Sequence, residues 1–583
     1  MKGRIAPGLG AVLLVAVGAK ATRAVRESWA SSDVITERLG AITPALQQEG
    51  RRWWSLDVQG MDWLGGLGLL VVVLLMIAYS RAGRQTERIG EEHGSAAWGG
   101  GRDIAPYAGR RGEPRLRFTA TETLSLDTRT TRRNLNVLAV GGAGSRKTRS
   151  FVLPNLLSGN GVSFAATDPK GELYREAAEP LRAAGYDVRA LNLVDLRSSS
   201  GFNPLAYIDR DQPEVGIAQL AATIVSNTES KGVDGKDAFW DRAERALLTS
   251  LTAYAYFMGE AARLAALADE AKSPGSVPPK GLGPASLIDV VELVKKLEAS
   301  EDNEKHTSEV DEMMEVVRDL LDNWSDLPDM RPEESDHIRD GLHFAAGQYR
   351  IFQQGAGETK KGVIISLGVR LAVLDVPDVR RLLSHDELAI EQLGLNPGVL
   401  FCILPDTHQT FRFISALFWH SMFSVNVYAA DHSPEGQLEV PIQCYLDEFA
   451  NIGRIPDFPQ VISTIRSRGI SVAVILQTLG QLKALYRDEW EVIAGNCDSF
   501  LFLGGNDATT LDWLSKRLGR STIKVEDTSQ SSGRNSSSSR SLKKTHRDLM
   551  TPDELGRMNE EECIYLLRGV KPFKSRKVPI YVG

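Results

Sequence analysis

Val137-Leu-Ala-Val-Gly-Gly-Ala-Gly-Ser-Arg-Lys-Thr148 is the stretch on which the fold turns. Four apolar residues run into a glycine-rich turn that ends in a lysine and a threonine. That order predicts a buried strand, a loop that wraps an anion with its backbone N–H groups, and a helix beyond it. A second stretch, Ile442-Gln-Cys-Tyr-Leu-Asp-Glu448, places two adjacent carboxylates at the end of another apolar strand, 300 residues after the lysine. A glycine-rich turn alone is weak evidence. Loop and acidic strand together predict a site for a nucleoside triphosphate and its metal.

Each residue type has a reason to be there. Gly141, Gly142 and Gly144, with Ala143 and Ser145 between and after them, let the backbone close around phosphate oxygens. Lys147 supplies charge to the β and γ phosphates, and the Thr148 hydroxyl supplies a magnesium ligand. Arg146 stands where the usual pattern has its second fixed glycine, so it either adds charge near the phosphates or crowds them. Asp447 is placed to hold Mg2+ through water, and Glu448 to orient or deprotonate an attacking water. Gln477 closes the apolar run Ser471–Leu476, at the end of a parallel strand where ligands bind in such sheets. Arg466 and Arg468 follow Glu448 by 18 and 20 residues, and either suits an arginine finger reaching a neighbouring subunit's nucleotide.

Outward from these motifs, Asn136–Val140, Val162–Ala166, Gly398–Leu404, Ile442–Leu446, Ser471–Leu476 and Ser499–Leu503 read as strands, with helices between them. The α/β pattern is interrupted. Ile217–Met258, Ser286–Ser300 and Glu309–Asn323 have helical period, and a Pro/Gly loop lies at Ser273–Pro284. Residues 301–340 hold fifteen Asp/Glu against four Arg/Lys, a solvated acidic face. The Ser-rich run 527–541 reads as an exposed flexible loop, and Thr551-Pro-Asp-Glu554 as a capping box that restarts a helix.

Toward the N-terminus, Trp63–Ser80 carries no charge and nearly supplies the ~20 apolar residues of a bilayer span. Ile5–Ala19 is shorter, with Lys20 able to snorkel, and no Ala-x-Ala cleavage site follows it as in a signal peptide. Two transmembrane helices with an external loop are expected. Residues 81–149 hold fourteen Arg/Lys against seven Asp/Glu, which puts the large C-terminal part in the cytoplasm. The expected layout is a membrane anchor over 1–80 and a basic linker with the start of the sheet domain over 81–133. Nucleotide-binding halves follow over 134–210 and 393–583, separated by an acidic all-α domain over 211–392.

The totals are those of an ordinary globular chain. Its 583 residues exceed one core, 42% are apolar and 25% charged, and the net charge of −7 rules out a general basic footprint. Four dispersed cysteines and nine scattered histidines make neither a disulfide frame nor a zinc site. No Leu-Ser-Gly-Gly-Gln string marks an ABC transporter.

From His93 onward the chain resembles the TraG/TraD-like coupling ATPases of type IV secretion and conjugation, most closely their Gram-positive branch. The resemblance is carried by His93-Gly-Ser-Ala-Ala-Trp98, Thr167-Asp-Pro-Lys-Gly-Glu-Leu173, Gly201-Phe-Asn-Pro204, Phe239-Trp240 and Ile403-Leu-Pro-Asp-Thr407. Asp447-Glu-Phe-Ala-Asn-Ile-Gly453, Ser463-Thr-Ile-Arg-Ser-Arg-Gly469, Tyr486-Arg-Asp-Glu-Trp490, Gly495-Asn-Cys-Asp498 and Phe502-Leu-Gly-Gly505 extend it. It implies a RecA-like P-loop motor interrupted by an all-α domain, anchored in the cell membrane by multiple passes and assembled as a homo-hexamer. ATP and Mg2+ are the implied cofactors, with Lys147, Thr148, Asp447, Glu448 and Gln477 at the nucleotide and Arg466, rather than Arg468, acting in trans. The implied partners are a relaxase with its DNA-processing complex, single-stranded DNA and the subunits of a type IV secretion channel. Residues 301–340 are the candidate dock for a basic relaxase or accessory protein. Two alternatives stay open: an FtsK/HerA-type translocase of double-stranded DNA, which shares the motor but not the strings around Asp168 and Asp447, and a membrane receptor that binds nucleotide without hydrolysing it.

Overall fold

The computed structural model describes residues 6–52, 54–55, 57–82, 91–110, 112–228, 238–272, 285–300, 306–325, 330–531 and 537–579. They fall into two units. One combines Met1–Ser95 with Ser521–Arg547, the other Ala96–Arg520 with Asp548–Gly583.

The first unit contains helices α1 (Ala6–Ala30), α2 (Ile35–Arg51) and α3 (Gly60–Ala82). α1 and α3 cross where glycines permit close approach: a Cβ on Gly66 would lie 2.2 Å from the Val15 carbonyl oxygen. Among the described residues, only Gly60–Ser80 is long and apolar enough to cross a membrane. This corrects the expectation of two spans. The apolar run that begins α1 continues into Lys20, Arg23, Arg26 and Glu27 of the same helix, which leaves too short an uncharged stretch. The unit also holds most of a hairpin, Arg520–Ser531 paired with Ser537–Asp548. The Ser-rich segment 527–541 is therefore strand on both sides of 532–536, which lie outside the described residues, and not a flexible loop. Ile523 and Val525 alternating with Lys524 and Glu526 supply the period-2 pattern that extends the strand into the serines.

The second unit is built on a nine-stranded sheet. Its strands are β1 (Val137–Val140), β2 (Ser163–Pro169), β3 (Asp187–Asn192), β4 (Gly398–Leu404), β5 (Ile442–Leu446), β6 (Ile470–Leu476), β7 (Ser499–Phe502), β8 (Glu562–Leu567) and β9 (Phe573–Arg576). They lie side by side in the order β9-β8-β7-β1-β6-β5-β2-β4-β3. The seven from β7 to β3 are parallel, and β8 and β9 run antiparallel at one edge. Largely apolar runs, from Val137-Leu-Ala-Val140 to Ile470–Leu476, leave β1, β4, β5 and β6 buried throughout, because apolar clusters cover both faces of the sheet.

Between β3 and β4 the described residues form only helices and 3-10 turns, among them α4 (Pro213–Asn227), α5 (Ala238–Lys272), α6 (Leu287–Lys295), α7 (Glu309–Asp322), α8 (Pro332–Gln353) and α9 (Gly357–Leu371). Proline at the first position starts α4 and α8, and the Ser308–Asp311 capping box starts α7. The predicted loop at Ser273–Pro284 lies outside the described residues. The apolar faces of these helices join the cluster on one side of the sheet. Thr551-Pro-Asp-Glu554 does cap a helix, Pro552–Gly556, where the Thr551 amide donates to Glu554 at 3.0 Å.

Candidate functional site

The glycine-rich loop leaves β1 at the sheet's centre, flanked by β6 and β7. The Gly141 amide donates to the Leu476 carbonyl at 3.0 Å and the Gly142 amide to the Gly504 carbonyl at 2.8 Å, so both neighbouring strands set its starting direction. A side chain at Gly141 would place Cβ 2.4 Å from the Ser145 hydroxyl. Gly144 and Arg146 both take left-handed backbone, with φ of +76° and +65°. The usual glycine at position 146 is thus a conformational requirement, which this chain meets with an arginine. Lys147 is buried, and its ammonium donates back to the Gly141 carbonyl at 2.8 Å and the Gly142 carbonyl at 3.4 Å. A π-turn over Thr148–Val152, of the kind often found at functional sites, opens the helix that runs on to Leu157.

β5 brings the carboxylates to this loop across a single intervening strand, β6. The Thr148 hydroxyl donates to Asp447 Oδ2 at 2.5 Å. Asp447 is fully buried, and burial pushes its carboxyl up to about 6. The neighbouring Glu448 charge adds to the rise, while the Thr148 hydrogen bond and the Lys147 charge oppose it. Glu448 turns off the strand in left-handed backbone, φ +49°. Its carboxylate lies 3.4 Å from the Lys147 ammonium and accepts from Gln477 Nε2 at 3.1 Å through each oxygen. Lys147, Thr148, Asp447, Glu448 and Gln477 therefore form one connected cluster. A hydroxyl and a carboxylate sharing one hydrogen bond are a donor pair suited to magnesium, which takes one or two protein oxygens and otherwise phosphate and water. Among the described residues no set of three or more His, Cys, Asp or Glu gathers to hold a metal by itself.

Arg466 does not join the cluster. It precedes β6 and so lies at the opposite end of the strand from Gln477, exposed, and its guanidinium has no hydrogen-bond or ion-pair partner among the described residues. Arg468 is engaged, its guanidinium gripping Asp431 through two bonds of 2.7 and 2.8 Å.

Three contacts escape sequence reasoning. Arg146 donates to Glu561 at 2.6 Å, and the buried Lys577 donates to the Ser145 carbonyl at 2.9 Å, each spanning more than 400 residues. The only sequence signal is the basic run Lys571–Lys577. Asp168, in the Asp-Pro-Lys-Gly-Glu string, accepts from the Leu173 and Tyr174 amides at 3.1 and 2.8 Å and so caps the helix Glu172–Ala183.

The sequence model of the type IV secretory system conjugative DNA transfer family matches residues 112–582. Conjugal transfer protein TraG of Rhizobium radiobacter is 24% identical over 455 residues, covering 75% of this chain and 60% of that protein. A TraG of Escherichia coli is 25% identical over 440 residues, covering 73% and 62%. The chain thus spans about three fifths of the length of these relatives. Among solved structures, the bacterial conjugative coupling protein TrwBdeltaN70 superimposes with a TM-score of 0.53 at 15% identity, covering 84% of this chain and 93% of that one. The plasmid coupling protein TrwB in complex with ADP and Mg2+ gives 0.51 at 15%, covering 83% and 93%. At such identity the likeness speaks for the fold, a large parallel-rich α/β sheet.

Proposed function

The chain belongs to the type IV secretory system conjugative DNA transfer family, and from that membership we propose that it is a membrane-anchored coupling ATPase. In this reading it receives relaxase-bound single-stranded DNA, or protein cargo, and drives it to a secretion channel. The observation that carries the reading is the cluster itself: Lys147, Thr148, Asp447, Glu448 and Gln477 meet within hydrogen-bonding distance from three adjacent strands. We assign the motor to 134–210 and 393–583, and recruitment of the DNA-processing complex to 211–392. α3 is the anchor, and the basic excess after it supports a cytoplasmic motor.

Lys147, which otherwise folds back on the Gly141 carbonyl, turns to the β and γ phosphates of ATP when they enter the loop. Thr148 and Asp447 would hold Mg2+, which when bound neutralises phosphate charge. Glu448, with Gln477 on both its oxygens, orients the water that attacks the γ-phosphate in line. Arg466, free and at the far end of the sheet, serves a neighbour's nucleotide in a homo-hexameric ring. Arg146 turns to Glu561, so it does not crowd the phosphates, which favours hydrolysis over a silent receptor.

A mating assay tests this, with the gene deleted from its own conjugative element and supplied in trans. Wild type restores transfer, while Lys147→Ala and Glu448→Gln abolish it at normal protein levels. Full transfer by both variants would sink the proposal.

A further inference from the structure

The C-terminal edge of the sheet reaches the phosphate loop at two adjacent residues. β8 runs antiparallel to β7, and β7 parallel to β1, so the start of β8 lies at the end of the sheet where β1 gives way to the loop. Glu561 immediately precedes β8 and Lys577 immediately follows β9. The Lys577 amide donates to the Glu561 carbonyl at 2.8 Å, which closes the pair. From that closed end Glu561 takes the Arg146 guanidinium at 2.6 Å, and the Lys577 ammonium donates to the Ser145 carbonyl at 2.9 Å.

Each contact answers a need of the loop. Arg146 has a left-handed backbone that disfavours any residue with a Cβ, and Glu561 supplies an interaction a glycine would not need. The peptide between Ser145 and Arg146 is planar and trans. Tethering its carbonyl to Lys577 therefore aims the Arg146 N–H the opposite way, as an anion-binding loop requires. Lys577 is only 5% exposed, so this tether is shielded from water, while the Glu561 carboxylate is largely solvated.

We propose that Glu561 and Lys577 are positioning residues of the nucleotide site, holding the phosphate loop in its ATP-binding shape around the non-glycine Arg146. The inference rests on the nucleotide reading of that loop.

The test is calorimetric titration of the full-length chain with ATP and magnesium, with steady-state turnover alongside. Glu561→Gln should weaken ATP binding about two- to fivefold, the range of an exposed ion pair, and raise KM while leaving kcat unchanged. In an Arg146→Gly background the same change should have no effect, since no side chain remains to be held. Lys577→Met should weaken ATP about tenfold or more, as loss of a buried charged hydrogen bond, and Lys577→Arg should restore it. Thermal melting identifies any variant that has merely failed to fold. Equal losses from Glu561→Gln in both backgrounds, or none in either, overturn the inference while wild type still binds ATP. If wild type binds no ATP, the nucleotide reading falls and takes the inference with it.

Discussion

Asp447 and Glu448 are neighbours in sequence with opposite surroundings. Asp447 is fully buried against Thr148, and burial lifts its carboxyl to about 6. Glu448 keeps part of its side chain exposed and is held by the Gln477 amide. The first suits a fixed metal ligand and the second a group that handles water. Glu448→Gln should therefore keep ATP affinity and lower kcat by about 10²–10⁴, read by turnover beside equilibrium binding. An equal loss of affinity would assign Glu448 to binding instead. These residues were legible from the sequence because loop, acid pair and strand-end glutamine each obey a local rule. Glu561 and Lys577 were not, since their link to residues 145 and 146 exists only once β8 and β9 have joined the sheet edge.

Asn136, buried just before β1, donates to the Ile462 and Asn496 carbonyls at 3.2 Å each and accepts from the Val472 amide at 3.0 Å. It thereby ties β1 to β6 and to the approach of β7. Asn136→Ala strands those buried groups and should cost about 2–4 kcal/mol in denaturant unfolding. At the β2–helix junction, burial lifts the Asp168 carboxyl to about 6 although two amides donate to it. A carboxyl whose folded value lies above its unfolded one favours the folded state at low pH, and that contribution is lost as pH rises from about 4 through 6. Wild type should lose stability relative to Asp168→Asn over that window and run parallel to it above, as melting temperatures against pH would record. The parallel strands were readable as apolar runs. β3, with Asp187 and Arg189 on a partly covered edge, lacked such a run, and the hairpin was hidden by serines that pair through their backbones.

For the whole molecule, the exposed Arg466 and the cluster sit at opposite ends of the parallel sheet, and the proposed ring would bring one subunit's Arg466 to its neighbour's cluster. Arg466→Ala should bind ATP normally and lose about 10³-fold or more in turnover. Arg468→Ala, which breaks the Asp431 grip, should lower stability and leave the neighbour's site intact. Mixing Lys147→Ala with Arg466→Ala subunits should recover part of the activity both lack alone, and no recovery would argue against sites shared between subunits. The N-terminal helices were partly legible: the run within Gly60–Ser80 is long and apolar enough to cross a membrane, whereas the charges that shorten the apolar stretch of α1 count only once its full length as a helix is known. The most direct measurement is ATP turnover by the full-length chain with and without single-stranded DNA, beside Glu448→Gln. DNA should raise wild-type turnover, and the variant should bind ATP yet stay silent with or without it. Wild type that binds ATP and never hydrolyses it, at concentrations and salt that permit assembly with DNA present, would overturn the motor reading.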